Sequence, residues 1–209
     1  MVAVEHLSFS FGERVGFINY CRRALNPAAC RVPRTTLTST LEKIYLKEKK
    51  KLERLFEKYN GLVSVCADIW TDHWRSHSYL GVTCHFMDNT WPMQKRILAF
   101  RDFDDAHTAH NIFRQLRIIF SEYKIENKIF AIGFDNASAN TAAIPSLLDL
   151  CKPYLGGTFF HQRCACHVLN LCVQKGLETL EHFILPIKKA LMFLWKHSST
   201  MNAWVRYCK

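Results

Sequence analysis

The chain has 209 residues, 49% of them apolar, with 28 basic and 18 acidic side chains and a formal charge of +10. That apolar share builds a real core and excludes a disordered tail, while no apolar run approaches the roughly 20 residues that cross a bilayer. The cationic excess favours a polyanionic partner such as DNA, because Lys and Arg release the counterions condensed on a phosphate backbone.

Nine cysteines without a basic and apolar leader between Met1 and Ser10 point to a reducing compartment rather than a disulfide framework. A soluble protein of the nucleus or cytosol, with no membrane partner, is the expectation. From the N-terminus, an amphipathic helix is expected over Phe11 to Leu25. Asn26-Pro27 and Arg31-Val32-Pro33-Arg34 supply the breakers of a loop. Thr35 or Thr36 is then expected to cap a long helix from about Leu37 to Tyr59, with Leu41, Ile44, Tyr45, Leu52, Leu55 and Phe56 at helical spacing and Asn60-Gly61 as its stop. Lys47 to Arg54 on this helix is one of two basic concentrations. The other is the C-terminal stretch with Lys188, Lys189, Lys196, Arg206 and Lys209. Each reads either as a solvated helix face or as a contact for phosphates.

Strands are expected at 62–67, 78–87 and 91–101, with a turn at Asp88-Asn89. Val82, Cys84 and Phe86 alternate with Thr83 and His85 as a half-buried sheet requires. His107 and Thr108 open a helix to Tyr123 whose buried stripe is Ile112, Phe113, Leu116, Ile119 and Phe120. A strand at 128–134, a helix from Ser138 to about Leu150, a short fifth strand at Phe159-Phe160 and a helical run from Arg163 to Leu177 follow. Helical residues continue to the end, with Pro186 as a break or kink. The β-β-β-α-β order, whose last step crosses over to return parallel to the first strand, gives an α/β fold with a mixed sheet. The expected organisation is an N-terminal helical segment over 1–60, a core over 61–178 and the start of a helical extension over 179–209.

Two aspartates carry the chemistry. Asp68 follows Val63-Ser64-Val65-Cys66-Ala67, and Asp135 follows Ile129-Phe130-Ala131-Ile132-Gly133-Phe134. Each is therefore expected at the C-terminal end of a strand, where a parallel pair brings the carboxylates together to hold a hard divalent cation. Asp also favours turns and N-caps for local hydrogen-bonding reasons, so both residues fit that plainer role too. Asp72 either assists a metal or satisfies a turn, and Trp70 either stacks a nucleic acid base or covers the rim of the core. Asn136 or Ser138 is expected to cap the next helix while Asp135 points elsewhere.

The run His161-Gln162-Arg163-Cys164-Ala165-Cys166-His167 is rich in soft ligands. It lacks the second, separated ligand pair of a structural zinc site, so no zinc is expected. On a helix, Cys164 and His167 share one face and Cys166 turns away. The pair then serves either buried packing or support of an active site. Arg163 is the phosphate-binding candidate, because its planar fork suits bidentate contact.

Taken in order, Asp68-Ile69-Trp70-Thr71, Ser78-Tyr79-Leu80-Gly81-Val82-Thr83, His107-Thr108-Ala109, Asp135-Asn136-Ala137-Ser138-Ala139-Asn140 and Phe160-His161-Gln162-Arg163-Cys164-Ala165-Cys166-His167 resemble the hAT superfamily of DNA transposases. Within it, the similarity is to plant Activator-like and RICESLEEPER-like zinc finger BED domain-containing proteins. The resemblance implies a ribonuclease H-like core in which two aspartates and a distant glutamate bind Mg²⁺ or Mn²⁺, cut DNA ends and join them to target DNA. It gives Asp68 and Asp135 the places of the two aspartates and Trp70 that of the tryptophan after the first. Cys164 and His167 match the family's C-x-x-H pair near the active site. A nuclear location, and homo-oligomers formed through regions outside this chain, are further implications.

The family's BED finger would precede this chain, and its helical insertion, third catalytic glutamate and dimerisation region would lie past Lys209. Glu178 and Glu181 come too soon after the C-x-x-H pair to take the glutamate's place. The expectation is a transposase-derived protein with a partial metal-dependent cleavage and strand-transfer core and little or no nuclease activity. The alternative is a non-enzymatic nuclear DNA-binding or protein-interaction module.

Overall fold

A computed structural model describes residues 2–72, 77–88, 90–196 and 198–207, so Asn89 of the expected turn and Lys209 of the basic stretch lie outside the described residues. The chain divides into two compact units, Met1–Gly61 with Ile118–Lys128, and Leu62–Arg117 with Ile129–Lys209.

In the first unit the expected helix over Phe11 to Leu25 is broken into a 3-10 turn at Phe11–Glu13, helix α1 at Val15–Tyr20 and a π turn at Cys21–Leu25. Arg14 is extended, with φ −70° and ψ 127°, which separates the first two pieces. Helix α2 runs over Arg34–Lys58, and no side chain of its N-cap residue, Pro33, caps it. It starts before Thr35 and Thr36, so neither is the cap. Instead Glu13 accepts hydrogen bonds from the backbone N–H of Arg34 at 3.0 Å and from the Arg31 guanidinium at 2.9 Å. A donor that the helix leaves orphaned is thereby satisfied from across the loop. The Arg31 and Arg34 bonds also hold the Glu13 carboxyl below its ordinary range.

At the other end, Lys128 donates to the carbonyls of Phe56 and Tyr59, each at 2.6 Å, an ammonium placed where the helix presents free carbonyls. Phe56 is fully buried, whereas Ile44 and Tyr45, expected on the same buried stripe, are 52% and 60% exposed. Ile119, Phe120, Tyr123 and Ile125 complete the buried apolar residues of this unit.

The second unit is built on a mixed sheet of five strands, β1 at Val63–Asp72, β2 at His77–Met87, β3 at Met93–Asp102, β4 at Ile129–Phe134 and β5 at His161–Arg163, in the order β3-β2-β1-β4-β5. The first three form an antiparallel meander, and β4 and β5 add in parallel with β1 and β4 respectively. Helix α3 (Ala109–Tyr123) makes the crossover to β4, as the order of expected elements requires. Helix α4 (Ser138–Cys151) follows β4 and packs against it. Thr108 accepts the Asn111 N–H at 3.3 Å, the local bond that opens α3.

Alternation along β2 buries Leu80, Val82, Cys84 and Phe86 on one face and leaves Thr83 and His85 half-buried on the other. On β3 the alternation is interrupted. Val82 pairs with Ala99 but Thr83 pairs with Ile97, so Leu98 is an extra residue, and both Leu98 and Ala99 are buried. A bulge of this kind reverses which face the rest of the strand presents.

The fifth strand is His161–Arg163 rather than Phe159-Phe160. The Phe160 N–H is used by the Gly157 carbonyl in a turn, and the parallel ladder begins only where the Phe160 carbonyl accepts the Ile132 N–H at 2.6 Å. Helices α5 (Ala165–Glu178), α6 (Glu181–Lys196) and α7 (Ser198–Tyr207) end the chain. Pro186 does not end a helix, as it sits inside α6; the interruption falls at Thr179 and Leu180. A proline there deletes one ladder hydrogen bond without stopping the helix. Among the described residues no helix is long and apolar enough to cross a membrane.

Candidate functional site

The ladder between β1 and β4 pairs Val65 with Ile132 and Cys66 with Gly133, and Asp68 and Asp135 each stand two residues beyond that last pair. Asp68 is not at a strand end, because β1 continues to Asp72 as one arm of the hairpin with β2, with Asp68 opposite Gly81 and Asp72 opposite His77. What ends before Asp68 is the parallel ladder, since β4 stops at Phe134. Val63, Val65 and Ala67 face the core, so the alternate residues Cys66, Asp68 and Trp70 stand on the open face. Asp72 therefore continues a strand and is not a turn residue.

A cleft of about 890 Å³ lies over this open face. Asp68, Trp70, Asp135, Arg163, Cys164 and His167 all border it and so meet in one place, whereas Asp72 is not among its lining residues. The sheet delivers Asp68 and Trp70 from β1 and Asp135 from the turn after β4. Arg163 comes from the end of β5, and Cys164 and His167 from the start of α5. Cys166, expected to turn away, is exposed and still borders the cleft.

The two carboxylates differ in their commitments. Asp68 is exposed and has no hydrogen-bond or ion-pair partner among the described residues. Asp135 itself holds the turn into α4, a role expected of Asn136 or Ser138: one of its oxygens accepts the Ala137 N–H at 2.9 Å and the Asn140 side-chain amide at 2.5 Å. Asn140 is only 5% exposed and is the sole buried polar residue among those described. The second Asp135 oxygen remains available, so the site offers three uncommitted carboxylate oxygens.

Among the described residues no group of three or more His, Cys, Asp or Glu side chains gathers as a metal cluster. Burial pushes the Cys66 thiol up from its ordinary range, with Lys95 opposing, and pushes Cys84 up to about 12, so both favour the protonated thiol rather than the ligating thiolate. Burial, with Arg163 beside it, pushes the His161 imidazole down, and its buried Nε2 has no hydrogen-bond partner.

Two aromatic residues that sequence reasoning passed over complete the site. Trp70 lies 5.5 Å from Phe100 and 5.9 Å from Tyr79 between ring centroids, and Tyr79 stacks on Phe100 at 5.6 Å with 19° between planes. Gly81 makes room for this shelf, since a Cβ there would stand 3.1 Å from the Trp70 ring. Phe100 reaches the open face because of the bulge at Leu98. The doubled apolar run Leu98-Ala99 was the one local signal, and it cannot be told from uninterrupted alternation without the register.

The ZBED1 RNase-like domain matches residues 66–155, which contain both aspartates and the aromatic shelf. A Zea mays protein named as an AC transposase is 31% identical over 196 residues, covering 91% of this chain and 24% of that protein. The zinc finger BED domain-containing protein RICESLEEPER 1 of Oryza sativa subsp. japonica is 26% identical over 156 residues, covering 72% and 22%. A protein of Talaromyces stipitatus named as transcriptional regulator tpeD is 26% identical over 143 residues, covering 67% and 16%. The chain thus spans about a quarter or less of the length of these relatives. The five-stranded mixed sheet is that of a ribonuclease H-like fold. Over the part of those proteins that it spans, the chain is similar to the AC transposases of Zea mays and to the RICESLEEPER proteins.

Proposed function

We propose that this chain is a transposase-derived DNA-binding protein whose open cleft retains a two-carboxylate site for a divalent cation, and that it has little or no nuclease activity by itself. The observation that carries the reading is the placement of Asp68 and Asp135 at matching positions just past the β1–β4 ladder, on one cleft. The donor set fits Mg²⁺ or Mn²⁺: hard carboxylate oxygens, with the remaining positions left to water and phosphate oxygens, is how such ions are held beside a nucleic acid. Bound there, the ion would supply charge stabilisation for phosphodiester cleavage and strand transfer. Asp68 binds with a free carboxylate, and Asn140 orients Asp135 by holding its other oxygen. Arg163 meets a phosphate at the rim of the cleft, and the Trp70, Tyr79 and Phe100 shelf takes the apolar face of an unpaired base.

Two carboxylates hold an ion weakly, which is why cleavage is expected to be at background. Supercoiled plasmid incubated with the chain and Mn²⁺ should stay uncut; robust nicking that disappears in Asp68→Ala would show the chain to be an active nuclease.

A second reading, a non-enzymatic nuclear module that binds DNA or another protein, is favoured by the hydrogen bonds that commit one Asp135 oxygen to the turn. It makes no demand on Asp68. Salt-dependent DNA binding by a chain that takes up no Mn²⁺ favours it, and no DNA binding at low ionic strength removes it.

A further inference from the structure

Helix α2 carries a cationic surface that the cleft does not use. Lys43, Lys47, Lys50, Arg54 and Lys58 recur one turn apart on a single face of the helix, and all five are exposed. None of the five is in an ion pair among the described residues. The lysines beside the stripe are different: Lys49 meets Glu122 at 2.7 Å and Lys51 meets Glu48 at 2.7 Å. The acids at its flank are engaged as well. Glu57 accepts from Lys124 at 2.9 Å and feels the charges of Lys58 and Arg54 more weakly, and Glu53 shares a small pocket with Lys50, Arg54, Glu122 and Lys124. A solvated helix face ordinarily alternates sign at one-turn spacing, because like charges four residues apart repel and opposite ones attract. Along their own row Lys43, Lys47, Lys50, Arg54 and Lys58 break that alternation, and only the C-terminal part of the row has carboxylates beside it, Glu53 and Glu57.

We propose that this stripe is a docking surface for the phosphate backbone of duplex DNA. From Lys43 to Lys58 the helix rises about 22 Å, at about 1.5 Å per residue, and presents a cation about every 5.4 Å. A straight row of fixed charges suits a partner whose phosphates are also fixed, as along a duplex. A single strand or an acidic peptide would first pay the entropy of being straightened against it. The formal charge of +10 on the whole chain adds to the attraction. The proposal shares with the proposed function the reading that the chain binds DNA, and none of the stripe's residues is Asp68 or Asp135.

The test is fluorescence anisotropy with the full chain, a labelled 20-base-pair duplex of arbitrary sequence and a series of salt concentrations. In Lys47→Gln/Lys50→Gln/Arg54→Gln the affinity at low salt should fall at least ten-fold, and the slope of log K against log salt should shrink by about 2.7, at about 0.9 for each phosphate no longer neutralised. Lys51→Gln, at the ion-paired neighbour, should change neither. Circular dichroism checks that the triple variant keeps its helix; if it does not, Lys43→Gln/Lys58→Gln reads the same stripe with a slope change of about 1.8. An unchanged slope in a folded variant overturns the proposal. So does a larger loss for a labelled 20-nucleotide single strand or for polyglutamate than for the duplex, since either result gives the surface to another partner. Asp68→Asn should leave the duplex slope intact, which keeps failure of the stripe distinct from failure of the cleft.

Discussion

On one face of the sheet Val63, Val65, Leu80, Val82, Cys84 and Leu98 are 0–3% exposed, while on the other Trp70, Ile97 and Phe100 stay 40%, 67% and 64% exposed. The same strands supply both faces, so backbone pairing is common to them and burial is what differs. The closed face contributes by removing apolar surface from water, at roughly 25 cal/mol per Å². The open face leaves aromatic rings in water beside two carboxylates, an arrangement that stability alone does not favour. It is coherent as a surface for nucleic acid, where rings meet bases and oxygens meet a cation that meets phosphates.

Substitutions on the two faces should therefore differ in size and in kind. Phe134→Ala, at a closed-face position only 2% exposed, should lose about 3–5 kcal/mol of unfolding free energy by urea denaturation. A loss under 1 kcal/mol would mean that β4 does not anchor the core. Asn140→Ala comes next, at about 1–3 kcal/mol, because it removes a buried donor from Asp135. It should also weaken Mn²⁺ binding about ten-fold or more by freeing the carboxylate to rotate. Unchanged metal affinity would separate Asn140 from the site.

Acidity gives a smaller effect of defined sign. The folded-state pKa of His161 lies below the ordinary value of 6.5, so the unfolded chain binds the proton more readily. The contribution is full above pH 6.5 and is lost as pH falls through 6.5 toward the folded value. Urea midpoints should therefore drop between pH 7.5 and pH 5.5, and His161→Gln should flatten that part of the slope. Phe100→Ala should cost least, under about 1 kcal/mol, since its ring is mostly in water already. Its effect should appear instead in weaker binding of single-stranded DNA.

The periodicity of β2 and of α3 was legible because a single burial direction governs each, and the β-β-β-α-β order followed from it. Asp68 and Asp135 were legible as a pair for the same reason: each closes an apolar run. Three things were hidden because they depend on contacts distant in sequence or on register. The cap of α2 comes from Glu13 across a loop, so the nearby Thr35 and Thr36 misled. The fifth strand starts at His161 because a turn takes the Phe160 N–H. The aromatic shelf exists because one bulge in β3 turns Phe100 outward. The helices after Arg163 showed their apolar spacing, yet α5 and α6 bury no residue fully, so their pattern did not identify a core.

The cation site can be measured directly by Mn²⁺ titration of the full chain, followed by electron paramagnetic resonance. Asp68 and Asp135 acting together predict one site of about 0.1–1 mM dissociation constant, abolished in Asp68→Ala and weakened at least ten-fold in Asp135→Asn. Binding of the same strength in Asp68→Ala would contradict it.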